Sequence, residues 1–308
     1  MKICITGGSG FIGSNLARKL VREGHEIKII DDMSSGSPHN IEDIKSSIEF
    51  EKMSILENEK INRHFKNIDI IVHLAAKTSI IESQKNPGVF IKTNVEGTKN
   101  VLDACKTAGV KMLIFSSSAA VYSEGDGKIN EKCPTEPSTV YGDSKLRAEG
   151  LIRKICPEYE IDFCILRLFN VYGPRQVLEG KYASVVPKFL ASAMRNKPIT
   201  VNGGRQSRDF IFVDDVSDAF FKVIKLKNCK GSTINIGTGR ATKIADLAKI
   251  VKETVYSKSE IHFMNDGNTG LNHSCADPSL SCKLLGTKNF AGLRMGLRKT
   301  ADWIEGAM

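Results

Sequence analysis

Three glycines set between a strand and a helix limit this chain to few folds. Residues 2–6 are a short apolar strand pattern, and residues 11–23 repeat apolar side chains at helical spacing (Phe11, Ile12, Leu16, Leu20). Thr6-Gly7-Gly8-Ser9-Gly10-Phe11-Ile12-Gly13 joins them, with Gly7, Gly10 and Gly13 in the spacing G-x-x-G-x-x-G. Missing side chains let the backbone approach a pyrophosphate, and the helix N-terminus adds free N–H groups and a positive dipole end. Such a loop works only after a strand and at the start of a helix, which is where it sits. The alternative reading is a tight strand–helix turn without a ligand.

The first half of the chain continues this alternation. A second strand spans 26–30 and ends at Asp31, and 68–74 is a near-continuous apolar run of the kind buried on both faces. A helix is expected over 89–108, a strand over 112–115, a helix over 141–155 and a strand over 161–168. This βαβα order predicts the α/β class, with a doubly wound parallel-sheet Rossmann domain over 1–168. After Leu168 the pattern loosens, punctuated by Pro174, Pro187, Pro198 and Gly203-Gly204. Residues 169–308 are expected to form mainly a smaller α/β substrate-binding lobe, since open sheets take ligands beyond the carboxyl ends of their strands. Strands at 210–213 and 233–236 could rejoin the main sheet, so segments near 208–236 are assigned back to it.

Length and composition suit a globular chain: 308 residues, 41% hydrophobic and 26% charged. No apolar stretch is long enough for a membrane span, and the N-terminus runs straight into a strand without a signal-peptide pattern. A cytoplasmic protein without a membrane partner is expected. The net charge of +9 raises nucleic acid as a partner, but the lysines are scattered (Lys92, Lys99, Lys106, Lys111) and form no block with aromatics. A solvated basic surface that draws in an anionic small molecule is the preferred reading, with no nucleic acid bound. The eight cysteines include no C-x-x-C pair. Buried free thiols therefore explain them better than disulfides or a metal site, and no metal is expected.

Chemistry enters with Tyr141-Gly142-Asp143-Ser144-Lys145. One helical turn puts Tyr141 and Lys145 on one face, and an ammonium near a phenol favours phenolate, which makes a general base. Alone, Tyr-x-x-x-Lys is weak evidence; the glycine loop and the serines Ser116-Ser117-Ser118 strengthen it. Asp31 lies 18 residues after Gly13, where a carboxylate accepts hydrogen bonds from ribose hydroxyls and repels a 2′-phosphate. No arginine follows it in 31–36, so NAD is predicted over NADP. Asp31 could instead cap a turn.

These pieces form an ordered series with His73-Leu74-Ala75-Ala76, Asn94–Thr98, 116–122, 167–175 (RLFNVYGPR), 208–215 (RDFIFVDD) and 235–239 (NIGTG). The series resembles the extended short-chain dehydrogenase/reductase family, specifically its NAD-dependent sugar-nucleotide epimerases, over nearly the whole chain. The resemblance implies that Ser118 hydrogen-bonds the reacting sugar oxygen, Tyr141 takes its proton, and Lys145 holds the nicotinamide ribose. It implies cofactor contacts at Gly7, Gly10, Phe11, Ile12, Gly13, Asp31, Asp32, Ser35, Gly36, Ser54, Ile55, Leu74, Ala75, Ala76, Asn94, Ser116, Tyr141, Lys145 and Phe169. Substrate contacts fall at Ser118, Asn170, Val185, Arg208 and Ser274. For Asn170 a turn role, and for Arg208 an ion pair with Asp209 or Asp214, are the alternatives. A homodimer is also implied, through the helices near 89–108 and 141–155.

The expected reaction is inversion at C4 of a nucleotide sugar of the UDP-glucose/UDP-galactose type, through a transient 4-keto sugar. Related dehydratases and decarboxylases carry an acid just after the catalytic hydroxyl, where this chain has Ala119 and Ala120. A methyl group cannot move a proton. A uronate epimerase, a 4,6-dehydratase and a non-catalytic dinucleotide- or RNA-binding protein are the alternatives. Two departures from the family pattern stand out: Ser54 replaces an adenine-contacting Asp, and 265–272 has no Lys or Arg where a second phosphate-binding arginine would fall near Gly267. The resemblance puts Ser274 where a bulky tyrosine restricts the sugar pocket in some epimerases, and its small side chain implies room for a 2-acetamido group, so N-acetylated sugars are admitted.

Overall fold

The computed structural model describes residues 1–123, 127–178, 183–226, 228–264 and 273–307. β1 (Lys2–Thr6) leads through the glycine loop into α1 (Phe11–Arg22), and β2 (Glu26–Asp31) and β3 (Ile48–Lys52) follow. α2 (Asn58–His64) precedes β4 (Ile70–His73), whose residues are all buried. The chain passes through α3 (Ile80–Lys85), α4 (Pro87–Ile91) and α5 (Gly97–Ala108) to β5 (Met112–Ser118). α6 (Val140–Glu158) and β6 (Asp162–Leu168) complete the alternating half. Next come β7 (Asn170–Tyr172), α7 (Val185–Met194), β8 (Ile199–Asn202), β9 (Ser207–Phe212), α8 (Val213–Leu226) and β10 (Ser232–Ile236). β11 (Ala241–Lys243), α9 (Ile244–Thr254), β12 (Ile261–Met264), β13 (His273–Ser274), α10 (Ser279–Leu285) and α11 (Leu293–Ala307) close the chain.

The chain divides into two compact units. The described residues of 1–123, 131–168 and 217–234 form the first, and those of 124–130, 169–216 and 235–308 the second. The first is built on a seven-stranded sheet in the order β10-β6-β5-β4-β1-β2-β3. Ile3 of β1 lies opposite Ile27 on one side and Ile70 on the other, and both pairings are parallel, as are β2–β3, β4–β5 and β5–β6. This is the doubly wound Rossmann arrangement. The winding direction reverses between β1 and β4, which makes the carboxyl end of β1 the switch point where such sheets take ligands. Ile71, Leu102, Leu113, Ile152 and Ile165, each without solvent exposure, belong to the apolar core.

In the second unit, β9 pairs in parallel with β7 and β13 and antiparallel with β11, while β8 and β12 form a separate parallel pair. Of the segments near 208–236 assigned to the main sheet, β10 joins it but β9 does not. The partners of β9 are two- and three-residue strands from distant parts of the chain, too short to leave a periodicity in the sequence. β3, also unanticipated, is an edge strand of half-buried and exposed residues whose sequence, IEFEK, hides its one-sided pattern behind charges. All eight cysteines are free, and only Cys133 and Cys282 are not buried. Among the described residues no helix is long and apolar enough to cross a membrane, and no cluster of His, Cys, Asp and Glu could hold a metal ion.

Candidate active site

The glycine loop is shaped by close backbone contacts. Gly7 sits at φ 73°, and a Cβ there would lie 2.7 Å from the Ala75 nitrogen, so the loop rests directly on the Leu74–Ala75 backbone beyond β4. Leu74 N–H donates to the Thr6 carbonyl (3.0 Å) and Ala75 N–H to Thr6 Oγ1 (3.3 Å). A Cβ on Gly13 would come within 2.3 Å of the Gly7 carbonyl, closing the gap between loop and helix. Gly10 caps α1 without a side chain, which leaves the first-turn N–H groups at Phe11 and Ile12 for an anion. The fully buried Ser9 Oγ has no hydrogen-bond partner. An open cradle, an uncapped helix and an orphaned buried hydroxyl together fit a dinucleotide phosphate.

Asp31, buried at the end of β2, accepts from Ser9 N–H (2.9 Å, Oδ2) and Met33 N–H (2.8 Å, Oδ1). It thus ties down the loop, as the turn-capping alternative foresaw, while each oxygen keeps a second lone pair for a ribose hydroxyl. Burial pushes its carboxyl above the usual range, against those two hydrogen bonds. Gly36 packs against it, since a Cβ there would sit 3.0 Å from Asp31 Oδ1. Asp32 is exposed and accepts from Ser34 N–H (2.8 Å), beside exposed Ser35. Ser54 caps its own turn, with Oγ accepting from Leu56 N–H (3.2 Å) and N–H donating to Glu57 (2.9 Å). Ile55 is a core residue wedged against Gly97.

Ser118, Tyr141 and Lys145 meet where β5 ends and α6 begins. Thr139 Oγ1 accepts from Gly142 N–H (3.0 Å) and caps the helix, placing Tyr141 in its first turn and Lys145 one turn on. Ser118 stands near enough to the Tyr141 phenol to favour its ionised form, and its Oγ accepts from Ala120 N–H (3.2 Å). Lys145 is buried; its Nζ donates to the Ser116 carbonyl (2.7 Å) and lies 4.6 Å from the centre of the Phe115 ring. Burial pulls the ammonium down to about 7, partly opposed by Glu149. The same burial pushes the Tyr141 phenol up, partly opposed by Ser118. The expected depression of the tyrosine by its lysine is therefore not what this chain alone achieves: the ammonium is directed at a carbonyl, and desolvation dominates both groups.

Three further residues build this corner without having been anticipated. Gly142 packs so tightly that a Cβ would stand 2.1 Å from the Ala120 carbonyl, so α6 starts flush against the turn after Ser118. Its signal is its place inside the Tyr-x-x-x-Lys segment. His73 bonds Thr6 Oγ1 (2.7 Å) and Thr98 Oγ1 (3.0 Å), and burial, then the Lys145 charge, lowers it to about 3. Ser144 Oγ receives one N–H of Asn94 (2.9 Å). Asn94 lies in a π-helical turn, Lys92–Glu96, that interrupts the helix expected over 89–108. Its amide also bonds both Lys77 N–H (2.8 Å) and the Lys77 carbonyl (2.9 Å), so it clamps the segment beyond β4 to α6.

The second unit holds a cavity of about 700 Å³. Asn170, Val185 and Arg208 all line it, joined by Lys188, Arg195 and Lys197, and no carboxylate is among the described lining residues. Val185, Lys188, Ser192 and Arg195 follow one face of α7, a helical spacing legible in the sequence but not exploited there. Ser274 is buried and pairs with Arg208 across β13 and β9, and Asn170 pairs with Phe210 of the same strand. Asp209 is engaged by Thr238 N–H (2.9 Å), Gly239 N–H (2.8 Å) and Ala276 N–H (3.1 Å), and Asp214 bridges Lys299 (3.4 Å). Phe169 is buried, its N–H donating to Ile236 (3.0 Å). Gly267 and the rest of 265–272 lie outside the described residues.

A parallel doubly wound sheet with a glycine cradle at its switch point and an acid closing the second strand defines a Rossmann-type dinucleotide-binding protein. The chain belongs to the NAD dependent epimerase/dehydratase family, matched over residues 3–237, and NAD is its cofactor. Its structure is similar to a UDP-glucose 4-epimerase of Thermotoga maritima solved with UDP-glucose, at TM-score 0.95 and 31% identity over 100% of this chain and 99% of the other. It is also similar to a UDP-glucose 4-epimerase of Thermus thermophilus in complex with NAD (TM-score 0.91, 28% identity, 100% of both chains). In sequence it is 33% identical to a UDP-N-acetyl-alpha-D-glucosaminuronate decarboxylase of Bacillus cytotoxicus, over 83% of this chain and 81% of that one.

Proposed function

We propose that this chain inverts C4 of a nucleotide sugar of the UDP-glucose/UDP-galactose type, N-acetylated forms included, through a transient 4-keto sugar. The observation that carries this reading is Ser118 set beside the Tyr141 phenol, with Lys145 buried one turn away. NAD, when bound, supplies the hydride acceptor for that oxidation together with a positively charged ring. Tyr141, in phenolate form, accepts the proton of the C4 hydroxyl and later returns it. Ser118 holds the hydroxyl oxygen and relays its proton, and the Ser116 carbonyl fixes the Lys145 ammonium. Asn170 and Arg208, with the other cations of the second unit's cavity, take the nucleotide diphosphate.

Relatives bearing decarboxylase names share the scaffold, but the two positions after Ser118 are methyls. Ala119 is buried, and the Ala120 carbonyl faces Gly142. Neither can move a proton, which favours epimerisation. The test is incubation of purified protein and NAD with UDP-glucose, UDP-galactose and their N-acetyl forms, with products followed by NMR. The 4-epimer is expected to accumulate to equilibrium, and Tyr141→Phe to lose about 10²–10⁴-fold in kcat while still binding NAD. No interconversion of any of these sugars by the parent protein would sink the reading. The assembly proposed is a homodimer.

A further inference from the structure

Glu149 is buried without solvent exposure and belongs to none of the contacts assigned above. Four donors converge on its carboxylate. Oε1 accepts from Ser117 Oγ (2.6 Å) and Arg167 Nε (2.9 Å), and Oε2 from Arg167 Nη2 (2.7 Å) and Arg153 Nη2 (2.8 Å). The pair with Arg167, itself buried and stacked on the Tyr122 ring (4.7 Å), would satisfy the charge. The bond to Ser117 does something else. Ser117 stands between Ser116, whose carbonyl receives Lys145, and Ser118, whose hydroxyl meets Tyr141. Glu149 and Lys145 lie four residues apart on the same face of α6. The end of β5 is thus tied to one face of α6 at two successive turns, by an ammonium and by a carboxylate.

We propose that Glu149 is a positioning residue: through Ser117 it sets the register of Ser118 against Tyr141, and its negative charge holds the Lys145 ammonium one turn away. The role in turnover rests on the epimerase reading; the hold on Lys145 does not. The groups facing Lys145 are few. Glu149 and Tyr141 come from its own helix, β5 presents the Ser116 carbonyl and the Phe115 ring, and β4 presents His73, which stays neutral. Arg167 on β6 and Arg153 pair with Glu149, the one carboxylate in this set. Burial lowers the ammonium and Glu149 opposes that fall, so neutralising Glu149 moves loss of the Lys145 proton to lower pH. A purely structural glutamate–arginine pair would leave that titration where it is.

The experiment has two readouts on the full chain. Lysine side-chain NMR, with Lys145 assigned through Lys145→Arg, follows the titration in parent, Glu149→Gln, Glu149→Asp and Ser117→Ala. In Glu149→Gln the Lys145 midpoint is expected to fall by about one pH unit, with Glu149→Asp close to parent. Steady-state kinetics on the nucleotide sugar should show kcat down about 10-fold in Ser117→Ala and Glu149→Gln, with KM changed by less than about 2-fold. Ser117→Ala keeps the carboxylate–guanidinium pair, so it tests the register even where Glu149→Gln fails to fold. An unmoved Lys145 midpoint in Glu149→Gln, or parental kcat in Ser117→Ala, overturns the inference. A moved midpoint in a protein that epimerises nothing supports the hold on Lys145 and sinks the activity instead.

Discussion

At Lys145 burial and chemistry pull in opposite directions. Mechanism wants an ammonium, whereas desolvation lowers it from an ordinary 10.5 to about 7. The sign for stability follows from which state holds the proton. The unfolded lysine keeps it up to about its ordinary value, and the folded one gives it up near 7. Below that value the fold bears the full cost of a buried charge. Between there and the ordinary value the cost declines, so stability from this group rises with pH. Lys145→Met removes the titration, so its stability relative to parent should drop by about 2–3 kcal/mol between pH 6 and pH 9, read from denaturant midpoints without added nucleotide. A pH-independent difference would show that Lys145 is not held in a desolvated site. Asp31 makes a separate prediction. Its carboxylate is fixed by two backbone N–H groups. NADH should bind at least about 10-fold more tightly than NADPH, and Asp31→Asn should shrink that ratio, both read by fluorescence titration. Equal affinities in the parent would count against the assignment.

Among the elements, α6 matters most, because one helix carries Tyr141, Lys145 and Glu149 and begins where β5 delivers Ser118. Its approach is set by Gly142, whose missing Cβ leaves room for the Ala120 carbonyl. Gly142→Ala must push the first turn away from the Ser118 turn, since backbone rather than a flexible side chain is in the way. A stability loss of about 1–3 kcal/mol is expected from the overpacking, with a fall in kcat larger than the loss of folded protein explains. Thermal melts beside kinetics check this, and parental behaviour in both would refute the contact. How much of this corner the sequence revealed depends on the range of each signal. The glycine loop, Asp31, and the Tyr141 and Lys145 spacing were readable because strand, loop and helix periodicities are local. β3 was not, because it hides its half-buried face under charges; β9 was legible as a strand but not its sheet, because its partners lie far along the chain. The depressed tyrosine failed for a related reason: helical spacing shows that Tyr141 and Lys145 share a face, but not that the Ser116 carbonyl captures the ammonium.

For the whole molecule the open quantity is how many copies associate. Ile80 and Ile81 of α3 and Val89 of α4 expose 48%, 66% and 50% of their surface, although apolar side chains this large are usually covered. They precede the π-turn and α5, the helical segment through which the family resemblance implies a two-fold dimer. An isologous interface uses each patch twice, so a single substitution changes both halves at once. A charge placed at its centre would meet its own copy across the axis and lose water without gaining a partner. Light scattering on the parent should therefore give twice the 33.8 kDa chain mass. Ile81→Asp together with Val89→Asp should return the chain to a single copy with an unchanged circular dichroism spectrum. Because the proposed catalytic corner is built from β5 and α6 of one chain, the monomeric variant should keep Tyr141-dependent turnover, reduced by no more than the stability lost with the interface. A double variant that still runs at twice the chain mass would place the dimer contact elsewhere, and a monomeric parent would remove it.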